Sequence, residues 1–168
     1  MIKKLDWHWI AGIILILTIS RLIPHPPNFT PIGAMAILAG LLIKDLRLAI
    51  AIPLAAMLLS DLIIGLHNSL LYVYAAIVII VLCNRYLLKN IRLSSLGVSS
   101  LLSAIIFFLV TNFGAWLSHD LYPRTANGLL QAYVAGIPFF YNTLLSTLFF
   151  IGISAATLTF ASKRLAIE

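Results

Sequence analysis

The chain has 168 residues, of which 62% are hydrophobic and 10% are charged, and its mean hydropathy is +1.08. Soluble domains are roughly 45–50% apolar and about 25% charged, so this composition excludes a soluble protein. The net charge of +6 does not indicate a nucleic-acid partner. The basic residues fall at the ends of apolar segments, where such residues orient membrane helices.

The apolar segments predict an all-α membrane protein with six transmembrane helices. Each crossing of a bilayer needs about 20 residues, so six spans nearly exhaust the chain and residues 1–168 form a single domain. In chain order, the predicted spans are residues 7–23, 31–43, 48–66, 70–88, 96–117 and 138–162.

The second predicted span is short and follows a segment that cannot be helical. Four prolines fall within residues 24–31, and Pro31 suits the first position of a helix. A short span after a proline-broken loop is a pointer to a binding site in a membrane protein. Further along, residues 118–128 predict the longest outer loop, and residues 129–136 predict a short helix at the outer interface.

The basic residues predict the orientation of the bundle. Only Arg21 and Arg124 lie at one set of junctions between spans, while the other nine of the 11 basic residues lie at the alternate set. Cytoplasmic loops carry the excess of Lys and Arg, so both termini are predicted to be cytoplasmic. The cytoplasmic set is Lys3, Lys4, Lys44, Arg47, Arg85, Lys89, Arg92, Lys163 and Arg164.

Polar side chains within or next to the hydrocarbon layer are costly, which makes them candidates for function. Asp61 is the strongest candidate, because it lies about one turn inside the outer end of the third span. Arg21 lies at a similar depth in the first span. Two interpretations of Asp61 stay open: a structural ion pair with Arg21, and a group on the wall of a ligand pocket.

The other candidates also map to the outer side of the bundle. His25 and His67 lie on two outer turns, and no His or Cys pair has the spacing of a zinc site. A mostly apolar pocket with a few convergent polar groups is typical of a small-molecule site. The predicted ligand-binding residues are His25, Asn28, Asp61, His67, Tyr72, Tyr74, Asn112, Trp116, Arg124, Tyr141 and Asn142.

No motif for catalysis is visible in the chain. It has no Walker loop, no Ser/His/Asp order and no paired carboxylates at catalytic depth, so hydrolysis and phosphate chemistry are not predicted. Any pumping would therefore need a gradient or a separate energising subunit. The one cysteine, Cys83, is predicted near the cytoplasmic end of the fourth span, where a buried cysteine behaves as a small hydrophobe.

Several motifs resemble those of a family of small bacterial inner-membrane proteins. That family is similar to the substrate-binding S components of energy-coupling-factor (ECF) vitamin transporters and to the BtuM-type vitamin B12 uptake proteins. The motifs are PPNFTPIGAMA at 26–36, LSDLIIGLH at 59–67, VTNFG at 110–114 followed by Trp116, LYPRT at 121–125 and IPFFYNT at 137–143.

The resemblance implies a six-helix S-component-like bundle with a vitamin pocket near the outer face. This pocket would lie under the loops that join spans 1–2, 3–4 and 5–6. BtuM-type proteins bind cobalt through a cysteine near the outer pocket, whereas Cys83 is predicted at the other face. His25 is in the matching first outer loop, so it is the candidate axial ligand of a bound corrinoid.

The leading hypothesis is a multi-pass protein of the bacterial inner membrane that captures a vitamin-like molecule from the periplasmic side. Cobalamin or another corrinoid is the best single candidate, and no intrinsic cofactor is predicted. The expected partners are this small molecule, the lipid bilayer and an ECF-type energising module. Two alternatives stay open: a membrane enzyme that modifies such a ligand, and a structural or assembly subunit that binds none.

Overall fold

The computed structural model describes residues 7–87 and 93–165, and every regular element in these ranges is an α-helix. Four segments are long and apolar enough to cross a membrane: Leu46–Ile64, Leu70–Leu87, Ser94–Ser118 and Ala126–Ala156. The prediction of a helical membrane protein is therefore confirmed. The helices are α1 Trp7–Leu22, α2 Ile32–Leu42, α3 Leu46–Ile64, α4 Leu70–Leu87, α5 Leu93–Ser118 and α6 Ala126–Leu165.

Helix α2 lies at the centre of the bundle and contacts α3, α4, α5 and α6, whereas α1 packs against α3. The small residues of α2 explain its central position, because they let neighbouring backbones approach closely. Ala36 is fully buried, and a Cβ atom placed on Gly40 would lie 2.5 Å from the carbonyl oxygen of Val81. The Ala36/Gly40 pair therefore serves packing within the bundle.

Two charged side chains fix the turn between α2 and α3. Asp45 caps α3, since its Oδ1 accepts hydrogen bonds from the backbone N–H groups of Arg47, at 2.8 Å, and Leu48, at 3.3 Å. Arg85, near the end of α4, donates to the carbonyl oxygens of Ile43, at 2.8 Å, and Lys44. These carbonyls follow the last turn of α2, where a cation is favoured by the helix dipole.

The prediction for the last third of the chain is wrong in one respect. Residues 129–136 do not form a separate interfacial helix, because α6 runs without interruption from Ala126 to Leu165, over 40 residues, with Pro138 inside it. Proline removes only one intrahelical hydrogen bond, and membrane helices tolerate it where neighbouring groups compensate. At ~1.5 Å per residue, α6 is about twice as long as the ~30 Å hydrocarbon core.

The number of spans and the orientation of the bundle stay predictions. Helix α2, with 11 residues, is shorter than a complete span, as its sequence indicates. Four of the basic residues on which the orientation depends lie outside the described residues: Lys3, Lys4, Lys89 and Arg92.

Candidate functional site

A cavity of about 780 Å³ opens at the end of the bundle where three loops meet. These loops join α1 to α2, α3 to α4, and α5 to α6, and all six helices contribute to the wall. The residues of α5 that line the cavity run from Ser103 to Ala115, which is about 18 Å of helix at 1.5 Å per residue. The cavity therefore reaches deep into the bundle from one end.

The loop between α1 and α2 is a rigid part of this wall. The backbone N–H of Phe29 donates to the carbonyl oxygen of Pro26 at 2.9 Å, and Asn28 has a φ of +62°. Proline at the second position and a left-handed residue at the third are the requirements of a type II turn. Asparagine tolerates this conformation better than most residues, which explains its place in the turn.

Helix α6 anchors that turn from the other side of the cavity. The Nδ2 atom of Asn142 donates to the carbonyl oxygen of Pro27 at 2.9 Å. The Oγ atom of Ser146 lies 3.3 Å from the carbonyl oxygen of Asn28, although its single proton also has the carbonyl oxygen of Thr143 within reach at 3.0 Å. The carbonyl group of Pro27 belongs to the irregular loop, which would otherwise leave it unsatisfied. The bond from Asn142 therefore fixes the position of the loop, and with it the position of His25.

The His25 ring is oriented by its own backbone. Its Nδ1 atom lies 2.8 Å from the carbonyl oxygen of Pro26. A carbonyl oxygen only accepts hydrogen bonds, so Nδ1 must carry the proton and donate it. In the neutral ring this leaves the Nε2 lone pair available, which is the arrangement that metal-binding histidines adopt when a carbonyl orients them.

Among the described residues, the charged and titratable groups of the cavity wall are Arg21, Tyr122 and three histidines. His25, His67 and His119 come one from each of the three loops. No Asp or Glu is among the residues that line the cavity in the described part of the chain. The wall therefore disfavours cationic ligands and favours neutral or anionic ones.

Asp61 is buried beside the cavity in an ion pair. It is 1% exposed, and its Oδ1 lies 2.6 Å from Nη1 of Arg21. Its other oxygen, Oδ2, accepts a hydrogen bond from the Tyr74 hydroxyl at 3.0 Å. Both carboxylate oxygens are therefore occupied, and the group ties α1, α3 and α4 together. The structural pair with Arg21, one of the two interpretations of Asp61, is present.

Four of the predicted ligand-binding residues border the cavity: His25, Asn28, His67 and Asn112. The Nδ2 atom of Asn112 donates to the carbonyl oxygen of Phe108 at 2.8 Å, while its Oδ1 has no partner among the described residues. Asn112 can therefore offer a hydrogen-bond acceptor to a ligand.

Seven predicted residues do not border the cavity. Asp61 and Tyr74 are turned toward Arg21 instead. Asn142 is occupied with the backbone of the first loop, and Tyr141, its neighbour in sequence, is 57% exposed on the bundle surface. The prediction rested on depth in the membrane, and the structure places these residues outside the lining of this cavity. Residues at one depth of a helix face different directions.

Two of the remaining three residues, Trp116 and Arg124, brace the loop between α5 and α6, and the third, Tyr72, packs against α5. The Trp116 indole donates from Nε1 to the carbonyl oxygen of Pro123 at 2.9 Å. Arg124 donates to the carbonyl oxygen of Trp116 and lies 5.8 Å from the centre of its ring. Tyr72 packs against Gly114, where any Cβ would collide with its ring. These side chains hold the loop and one helix contact, and none of the three lines the cavity.

The wall contains residues that the sequence analysis did not select. Its aromatic members are Phe107, Tyr122 and Phe139. The cavity-lining residues of α6 recur every three or four positions, which is the period of one helix face. That period is the signal that would have found them: Ala132, Ala135, Gly136, Phe139, Thr143, Ser146 and Thr147.

Cys83 does not border the cavity. The described residues contain no cluster of three or more His, Cys, Asp or Glu side chains that could hold a metal ion.

The comparisons with known proteins show one relationship. No curated protein and no solved structure gives a significant match to the chain. A family model described as a family of unknown function, DUF6580, matches residues 2–167. Because this match covers nearly the whole chain, the protein belongs to the DUF6580 family.

Proposed function

We propose that this membrane protein is a substrate-binding or transport protein of S-component type, located in the bacterial inner membrane. It captures a vitamin-like small molecule through the end of the bundle where the three loops meet. The observation that carries this proposal is the cavity of about 780 Å³, which falls within the ~300–1,000 Å³ of typical small-molecule sites. An ECF-type module or an ion gradient would supply the energy for release.

Cobalamin or another corrinoid is the proposed ligand. Corrinoids carry many amide groups, and the wall offers matching polar side chains such as Asn28, Asn112 and Thr143. Whole cobalamin is larger than the usual occupant of such a volume. Its binding therefore requires the loops to open or part of the ligand to stay outside.

His25 would then be the protein ligand of cobalt. Its Nδ1 is committed to the carbonyl oxygen of Pro26, so Nε2 is the atom that can face a metal centre. Imidazole nitrogen is a suitable axial ligand for a transition metal of this kind. The cobalt is cargo in this proposal, since it enters with the ligand.

We expect His25→Ala to change the visible absorption spectrum of protein-bound cobalamin, because the axial ligand of cobalt would be lost. Cys83→Ser should leave the spectrum unchanged, since Cys83 does not border the cavity. The measurement is a spectrum of purified protein saturated with cobalamin. A spectrum that changes in Cys83→Ser but not in His25→Ala would contradict His25 as the axial ligand of cobalt. Absence of cobalamin binding would show that a corrinoid is not the ligand of the protein.

The proposal includes six spans with both termini in the cytoplasm. It is supported by the uneven distribution of basic residues and by the position of the cavity at the opposite end of the helices. Reporter fusions after Arg92 and after Tyr122 should therefore report opposite sides of the membrane. If both report the same side, the orientation is wrong.

A further inference from the structure

Arg21 is the only arginine or lysine among the residues that line the cavity in the described part of the chain. It lies in the last turn of α1, and its side chain is 15% exposed. A guanidinium in such a position is costly unless its N–H groups are occupied. The hydrogen-bond partners of these N–H groups therefore indicate what kind of ligand the cavity can bind.

One nitrogen of the Arg21 side chain makes all of its hydrogen bonds to the described residues. Nη1 donates to Oδ1 of Asp61 at 2.6 Å, to the carbonyl oxygen of Met57 at 3.2 Å and to Oγ of Ser60. Each acceptor lies on α3. These contacts hold one corner of the guanidinium plane against that helix.

The other edge of the guanidinium has no protein partner. Nη2 and Nε donate to no acceptor among the described residues. These two nitrogens form a planar fork that matches two oxygens of a carboxylate or a phosphate, and such paired contacts are the strong charge-assisted kind. Arg21 borders the cavity and its Nη1 corner is held on α3, so the Nη2/Nε edge is the part of the guanidinium left for a ligand.

Asp61 is the carboxylate that pairs with Arg21, and it takes only the Nη1 corner of the guanidinium. Asp61 does not border the cavity, and its second oxygen is bound by Tyr74 at 3.0 Å. The three loop histidines, His25, His67 and His119, line the same cavity. No other charged side chain lines the cavity in the described ranges.

We infer that the free edge of Arg21 binds an oxyanion of the ligand, a carboxylate or a phosphate group, and that Asp61 positions the guanidinium for this task. The inference rests on the proposed ligand-binding role of the cavity and narrows its ligands to anionic ones. In a corrinoid with a nucleotide loop, the phosphodiester would be this group. Arg21 thereby selects the ligand by its charged group.

The test compares anions on four forms of the purified protein in detergent. The forms are the wild type, Asp61→Asn, Arg21→Lys and the double variant Arg21→Gln with Asp61→Asn. The double variant removes the guanidinium without leaving Asp61 as an unpaired buried charge. Thermal unfolding is followed with inorganic phosphate, with benzoate as the carboxylate probe, and with chloride at equal ionic strength.

We expect phosphate or benzoate to stabilise the wild type and Asp61→Asn more than chloride does. The double variant should need about tenfold or more anion for the same stabilisation, since it has lost a paired charge-assisted contact. Arg21→Lys should respond more weakly than the wild type, because an ammonium lacks the planar fork. The anion that stabilises better identifies the group as a phosphate or a carboxylate.

A weaker response of Asp61→Asn than of the wild type would support the positioning role of Asp61, and an equal response would remove that role. Equal responses of the wild type and Arg21→Lys to each anion would overturn the inference. Equal responses of the wild type and the double variant would do the same. If the double variant does not fold, the anion responses of Arg21→Lys and Asp61→Asn can still be compared with that of the wild type. If cobalamin does not bind but phosphate still stabilises the wild type, only the choice of a corrinoid as the ligand would be wrong.

Discussion

Asp61→Ala is expected to destabilise the protein by about 3 kcal/mol, because it leaves Arg21 as a partly buried charge without its carboxylate. We place the value at the low end of the range for a broken buried pair. Arg21 is 15% exposed and borders the cavity, where water can reach it. The Tyr74 hydroxyl also loses its acceptor.

The measurement is the free energy of unfolding in detergent, with Asp120→Ala as the control. Asp120 is exposed in the loop between α5 and α6, so its removal should change stability by no more than about 0.5 kcal/mol. Asp61→Ala that unfolds like the wild type would show that the ion pair does not hold α1 against α3.

Ala115→Trp is expected to abolish ligand binding, or to weaken it by about tenfold or more, by filling the cavity. Ala115 lies on α5 and borders the cavity near its open end. An indole at this position would occupy space that the ligand needs. The measurement is an equilibrium titration of cobalamin into purified protein.

Leu117→Trp is the matched control for that variant. Leu117 lies two residues further along α5, is 42% exposed and does not border the cavity. The same substitution there adds an indole to the outer surface of the bundle and should leave binding unchanged. Equal binding by the two variants would mean that ligand does not enter this cavity.

The sequence predicted the helices well because apolar segments and their interruptions are local signals. Proline and polar residues at 24–31 and the short turn at His67 mark real loops, and these loops do border the cavity. The pairing of Asp61 with Arg21 was also accessible, since a carboxylate inside an apolar helix requires a partner at similar depth.

The direction of each polar side chain was harder to predict. Depth in the membrane follows from position along a helix, but direction depends on how that helix is rotated against its neighbours. Tyr72 and Trp116 have the right depth and still face packing contacts, whereas Thr143 and Thr147 face the cavity. Six helices with little amphipathic contrast give few local signs of that rotation.

The continuity of α6 was hidden for a different reason. Pro138 is a strong local signal for the start or end of a helix, so the residues before it were predicted as a separate short helix. Packing decides otherwise, because α6 packs against α5 and α2 and tolerates the one missing hydrogen bond. A proline within a membrane helix is therefore weaker evidence of a boundary than in a soluble one.

The central claim is that the cavity holds a small molecule, and mass spectrometry of what co-purifies with the protein tests it most directly. Wild-type protein and Ala115→Trp would be purified in parallel from the same host, extracted and compared. We predict one compound that is present in the wild type at a near-constant molar ratio and is depleted in Ala115→Trp. Identical extracts from the two proteins would contradict the claim.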